Sequence, residues 1–335
     1  MVIFNRFLLF FLLIYSASWA QFTDVINSNR PGQSMAAFSV GKTIIQTEMG
    51  LDMGREIYSK KDYKVGSQGG EIALRYGAIF EQLEFYGSLN YQKETYTDLI
   101  TNLDKKSSGI QTAQVGAKFM VYDPMMNYEE KINKYSWKAN HKFNWRQFIP
   151  AIAVYGGLIL NNDAKFNRPY SVPQLNTSGL KGMLLTQNQF GRFALITNFG
   201  ITNFGVANYE SFDYVVSLTR GINDRWSILL ENQGMNSKVY RNTLFRAGGA
   251  CLLVENLQVD AALASSVTNE PGQVIANLGF SWRFDANYSE VMLRIPKEKK
   301  NGKGGKDSTN KKDKKDDSKA KVRTDGFDNS SRKTK

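Results

Sequence analysis

Residues 277–284 read NLGFSWRF, and the fold turns on how that stretch is understood. Leu278, Phe280, Trp282 and Phe284 fall on one side of an extended chain, while Asn277, Gly279, Ser281 and Arg283 fall on the other. A period of two over eight residues is the pattern of a β-strand with one apolar face. The segment ends on an aromatic as a terminal strand would, yet residues 285–335 follow it.

Working back from this strand, the same alternation recurs. Thr43, Ile45, Thr47, Met49, Leu51 and Met53 share one face of the first segment. Further alternating segments lie at 71–80, 83–92 and 110–122, and strands are expected at 148–161, 179–189, 193–204, 212–222, 225–235, 241–254, 257–267 and 273–284. The total is twelve. Alternation is weak at 148–161 and 179–189, where both faces are fairly apolar. Short turns at 81–82, 190–192, 223–225 and 255–256 alternate with longer connections at 55–68, 95–109, 162–178 and 205–211. That rhythm is the one found in outer-membrane barrels, with short periplasmic turns and longer external loops.

Charges keep to the face opposite the apolar one: Glu48, Glu71, Arg75, Glu84, Lys118, Glu231, Arg246 and Asp260. In lipid all backbone groups must bond internally, so such a sheet closes on itself and turns its charges inward. These eight residues are therefore expected to face a lumen. Arg220 breaks the rule and is expected near an interface, where Tyr91, Tyr122, Trp226 and Trp282 fit an aromatic girdle. The expected fold class is all-β, an antiparallel transmembrane β-barrel of about 12 strands over residues 43–284. A secreted soluble β-protein is the competing reading.

The start, MVIFNRFLLFFLLIYSASWA, has Arg6, an apolar run from Phe7 to Tyr15 and small residues before Gln21. It reads as a signal peptide over 1–20. As a membrane anchor it would be short of the roughly 20 residues a spanning helix needs. Residues 21–42 precede the first strand as a periplasmic or plug segment. Residues 123–147 join two strands where a short turn would suffice; they are expected to form an insert that lies on the inner leaflet or docks a partner.

The net charge is +12, and residues 297–335 hold 15 Lys/Arg against 7 Asp/Glu, so +8 of it lies there. The segment 285–335 is expected to be a disordered basic periplasmic tail, either a solvated tether or a means of capturing an acidic protein face, cell-wall polymer or lipid head groups. Nucleic acid is not expected in that compartment. One Cys (Cys251) and one His (His141) leave no histidine-built metal site or internal disulfide; no cofactor, metal or catalytic group is expected.

Within 277–284, Asn277, Gly279, Trp282 and Phe284 resemble the β-signal of bacterial outer-membrane barrels. By that resemblance, barrel-insertion machinery would read them as the closing strand. Asn29, Arg30, Pro31 and Gly32, followed by Thr47-Glu48, resemble the mature start of Bacteroidota outer-membrane barrels grouped with the MetA-pathway (phenol-degradation) transporter-like proteins, over about residues 25–284. The function expected is a narrow channel for small polar solutes. The alternative is a non-conducting subunit of an outer-membrane insertion or secretion complex, with the insert and tail as docking elements.

Overall fold

The computed structural model describes residues 26–126, 145–162, 166, 177–206, 209–238, 241–267 and 271–285. The tail from 286 onward, the signal segment and most of the 123–147 insert, His141 included, lie outside the described residues.

Twelve strands form one closed antiparallel barrel in which each strand pairs with its neighbours in sequence and β1 pairs with β12. They are β1 Ile44–Tyr58, β2 Tyr63–Gly77, β3 Leu83–Asp98, β4 Asp104–Tyr122, β5 Ala151–Asn161, β6 Thr177–Phe190, β7 Phe193–Phe204, β8 Ser211–Gly221, β9 Trp226–Ser237, β10 Arg241–Val254, β11 Leu257–Ser266 and β12 Gly272–Asp285. NLGFSWRF closes the ring: Leu278 faces Leu51, Phe280 faces Met49 and Trp282 faces Thr47 across the β1–β12 seam. Closure leaves no free sheet edge, as a sheet in lipid requires.

Burial is inverted relative to a protein that folds in water. Leu51 and Leu278 are 67 % and 62 % exposed, whereas Arg75 and Lys118 are fully buried. Leu230, Leu263, Val115 and Phe245 join the exposed apolar surface, which runs round the outside of the wall. So continuous an apolar exterior suits acyl chains, and the fold is that of an outer-membrane protein. Among the described residues no helix is long and apolar enough to cross a membrane; this chain crosses with strands. Trp226, Trp282, Phe284 and Tyr122 are outward-facing near the rim where both ends of the barrel lie, here called the terminus rim. Arg220 sits near that rim with its guanidinium 5.0 Å from the Phe193 ring centroid.

Two connections differ from the sequence expectation. The loops expected at 55–68 and 95–109 are largely strand, with turns only at 59–62 and 99–103. Strands β1 to β4 are 15, 15, 16 and 19 residues long, where roughly 9–11 span a bilayer, so they overhang the far rim. Beyond the membrane neither face needs to be apolar, so the alternation stops while the hydrogen-bond ladder continues. A small aromatic core steadies this overhang: Tyr58 stacks on Tyr63 at 4.4 Å between ring centroids, and Tyr63 meets Tyr96 at 5.0 Å. The 99–103 turn is tied by Asp98 Oδ1, which accepts from the Ile100 and Thr101 amides at 2.8 and 3.0 Å.

Candidate channel lumen

Residues 26–43, ahead of β1, run inside the barrel at the terminus rim and are mostly buried. Their backbone joins the wall at both ends, Ile26 N donating to Glu255 O (3.4 Å) and Thr43 N to Gly77 O (2.8 Å). Between those ends lumen side chains hold the segment. Met35 and Ala37 pack into a buried cluster with Met120, Ala151, Ala153, Tyr155 and Leu185, and Phe38 leans against it. Here the inner face of β4–β6 meets a plug instead of water, which is why the alternation of β5 and β6 is weak in sequence.

The rest of the plug is polar and keyed to the wall's charges. Arg75 grips Glu84 through two nitrogens (Nε–Oε1 2.7 Å, Nη2–Oε2 3.0 Å) and reaches Glu48 at 3.2 Å. Lys118 Nζ lies 3.0 Å from Glu84 Oε2. Each member of this group also takes a backbone group of the plug. Arg75 donates to Asn27 O (2.6 Å), Lys118 to Ala36 O and Phe38 O (3.0 and 2.9 Å), and Glu84 accepts from Val40 N (3.0 Å). Glu48 accepts from Asn29 N at 3.3 Å. A charge buried in a low-dielectric wall is tolerable only when paired and bonded in this way.

A second group lies across the lumen. Glu231 pairs with Arg246, accepts from Ser217 Oγ at 2.6 Å, and receives the Gln33 and Ser34 amides at 3.0 and 3.2 Å. Asn198 Nδ2 donates to Met35 O and Gln187 Oε1 accepts from Ala37 N.

Arg30 occupies a third position. Gly50 and Gly279 face each other across the β1–β12 seam, and a Cβ on either would overlap the Arg30 guanidinium. The two glycines make a notch in the wall. Arg30 lies in it, Nε 3.3 Å from Asp260 Oδ1 and Nη2 3.3 Å from Leu278 O, while Gln258 Nε2 donates to Arg30 O. Thus Arg30 of the Asn29–Gly32 stretch and Gly279 of NLGFSWRF, which the sequence presents as unrelated motifs, meet in one contact. Pro31 follows a cis peptide bond, and Gly32 stands close to the Glu231 carboxylate, where a Cβ would crowd it. Ser28 Oγ meets Ser281 Oγ at 2.6 Å.

The remaining positions divide cleanly. Asn277 and Glu71 lie beyond the plug, lining a polar cavity of about 440 Å³ that occupies the far half of the lumen. Trp282 and Phe284 point outward, their ring centroids 5.9 Å apart. Sequence reasoning did not single out Gln187, Asn198 or Ser217. An isolated amide or hydroxyl on a strand carries no pattern, and Gln187 and Asn198 meet plug residues 150 and 163 positions away. Among the described residues no cluster of His, Cys, Asp and Glu could hold a metal ion.

A closed twelve-stranded barrel with an apolar exterior and a polar, partly plugged lumen is the architecture of an outer-membrane β-barrel. Residues 28–284 match the family described as "Putative MetA-pathway of phenol degradation", and the chain belongs to that family. Among solved structures it is similar to the COG4313 outer membrane channel from Pseudomonas putida F1, at 12 % identity and a TM-score of 0.50, covering 77 % of this chain and 100 % of that one. Weaker similarity links it to the β domain of the Bordetella autotransporter BrkA (13 % identity, TM-score 0.44, 72 % and 99 % covered) and to the KdgM porin (8 %, 0.40, 70 % and 99 %). No curated protein sequence matches the chain.

Proposed function

We propose that this protein is an outer-membrane channel for small polar solutes whose lumen is closed from the periplasmic side by its own N-terminal segment. The observation that carries the reading is the division of the lumen: a cavity lined by polar side chains, ending on a plug whose backbone, among the described residues, bonds the wall's backbone through Ile26 and Thr43 and is otherwise held by side chains. Side-chain contacts can be exchanged for water without breaking the barrel's ladder, so the plug can leave while the wall stays. Both termini lie on the periplasmic side in this reading, and NLGFSWRF is the strand that insertion machinery engages.

The test is conductance in planar bilayers of the full chain and of a form lacking residues 26–40. Brief, small openings in the full chain that become steady in the shortened form support the channel; silence in both overturns it.

A second reading is favoured by the ion pairs that tie up the charges around the plug. With Arg30, Arg75, Lys118, Glu84 and Glu231 all engaged, the barrel would be a non-conducting accessory subunit of an insertion or secretion complex. Residues 123–147 and the basic segment 297–335 would then dock periplasmic partners or cell-wall polymer. Loss of co-purifying membrane proteins when 297–335 is deleted, in a barrel silent in both forms, would favour this alternative.

A further inference from the structure

We propose that the far half of the lumen binds a small organic cation, a solute bearing ammonium or guanidinium N–H donors. This deepens the channel reading by naming its solute class. The cavity of about 440 Å³ is lined by side-chain oxygens that lack a protein donor: those of Asn90, Asn198, Asp213, Gln233 and Asn277. Asn198 fixes the sense of this. Its Nδ2 is used on Met35 O at 3.0 Å, so its oxygen is what remains, and the residue is only 4 % exposed. Asp213 is similar: Thr202 Oγ1 donates to Oδ2 at 2.5 Å and leaves Oδ1 over. A buried acceptor without a donor is unfavourable until a ligand or water supplies one.

The charge balance points the same way. The cavity's Glu48, Arg30 and Arg246 are paired with Arg75, Asp260 and Glu231. That leaves Glu71 and Asp213 against Lys181, whose Nζ is 3.4 Å from Gln114 Oε1. Glu71 faces Asn90 across β2–β3, and Asp52 faces Asn277 across β1–β12. Directly opposed residues hold their Cβ atoms within about 4.5–5.5 Å, so Glu71 and Asn90 can share one ligand nitrogen. A polyol would bring lone pairs as well as donors, and an anion would meet the carboxylates. An ammonium is all donor and carries the complementary charge.

Calorimetric titration of the purified full chain in detergent tests this with three four-carbon probes: butane-1,4-diamine, butane-1,4-diol and succinate. The diamine is expected to saturate the protein with at least tenfold higher affinity than the other two. Asp213→Asn and Glu71→Gln should each weaken it several-fold, and Lys181→Gln should tighten it, a gain that misfolding cannot produce. Equal binding of diol or succinate, no binding of diamine, or indifference to all three substitutions overturns the proposal. Conductance separates this from the channel reading. Diamine binding by a barrel silent even without its plug keeps the site and removes the channel; a steady pore that ignores diamine does the reverse.

Discussion

The two halves of the lumen are built from the same strands, yet they treat polar groups in opposite ways. At the terminus rim the charges of Arg75, Glu84, Lys118 and Glu231 are all answered, by one another and by the backbone of residues 26–43. In the far half, side-chain oxygens of Asn90, Asn198, Asp213, Gln233 and Asn277 remain without protein donors. The charges of the first half are met within the chain, although Asn27 Nδ2 and Gln46 Oε1 there lack a partner, whereas the second half gathers several such oxygens round one cavity. A channel needs both: a seal that is stable alone and a vestibule that is not.

The largest expected effect comes from breaking the finished half at its centre. Glu84 stands between two cations, and Glu84→Gln leaves buried Arg75 with Glu48 and takes from buried Lys118 the carboxylate it pairs with. Removing one member of a buried ionic group costs about 3–5 kcal/mol. Equilibrium unfolding of the barrel in detergent should show a loss of that order, and protease should now cut within 26–43. An unchanged midpoint together with a protected plug would mean that water already hydrates this group, and the contrast between the halves would collapse.

A smaller effect tests the notch. Gly279→Ala places a methyl where the Arg30 guanidinium lies, on a strand that itself tolerates alanine. Overpacking of this kind costs roughly 1–3 kcal/mol. The cheaper relaxation is for Arg30 to leave Asp260, so plug opening should increase more than barrel stability falls. Channel openings in Gly279→Ala should lengthen; the double variant Gly279→Ala with Arg30→Ala should behave as Arg30→Ala alone, because the clash is then gone. Additive effects of the two substitutions would show that Gly279 acts through strand geometry and not through Arg30.

Much of the barrel was legible from one physical fact. A strand between lipid and lumen must alternate, and most of the twelve strands showed it, NLGFSWRF among them. The reading faltered wherever one of those two environments was absent. At 55–58, at 63–68 and around Lys105 and Lys106 the strands have left the membrane, so no face need be continuously apolar and loop was expected. At β5 and β6 the inner face meets Met35 and Ala37, so both faces are apolar. A plug was one of two readings of residues 21–42, but its contacts were beyond reach for another reason. Arg30 and Asp260 lie 230 residues apart, and no local pattern in either segment names the other. The open acceptors of the far half are less visible still, since an asparagine that lacks a partner is spelled like one that has it.

The smallest expected effect concerns the overhang, which belongs to neither half. Tyr63 is stacked between Tyr58 and Tyr96 above the membrane, where β1, β2 and β3 have no lipid to hold them. Tyr96→Ala removes one ring from that stack, an aromatic contact worth about 0.5–1.5 kcal/mol beyond its buried area. The hairpin at 59–62 should then be nicked faster by protease, while plug protection, diamine affinity and conductance stay as they were. That indifference is the informative result. The overhang's order comes from its own rings and ladder, whereas the cavity's order comes from the wall below, so a tyrosine at the tip has no route to Asp213 or Glu84. If Tyr96→Ala did alter conductance, the overhang would have to be counted as part of the solute path, and the lumen would have three functional regions instead of two.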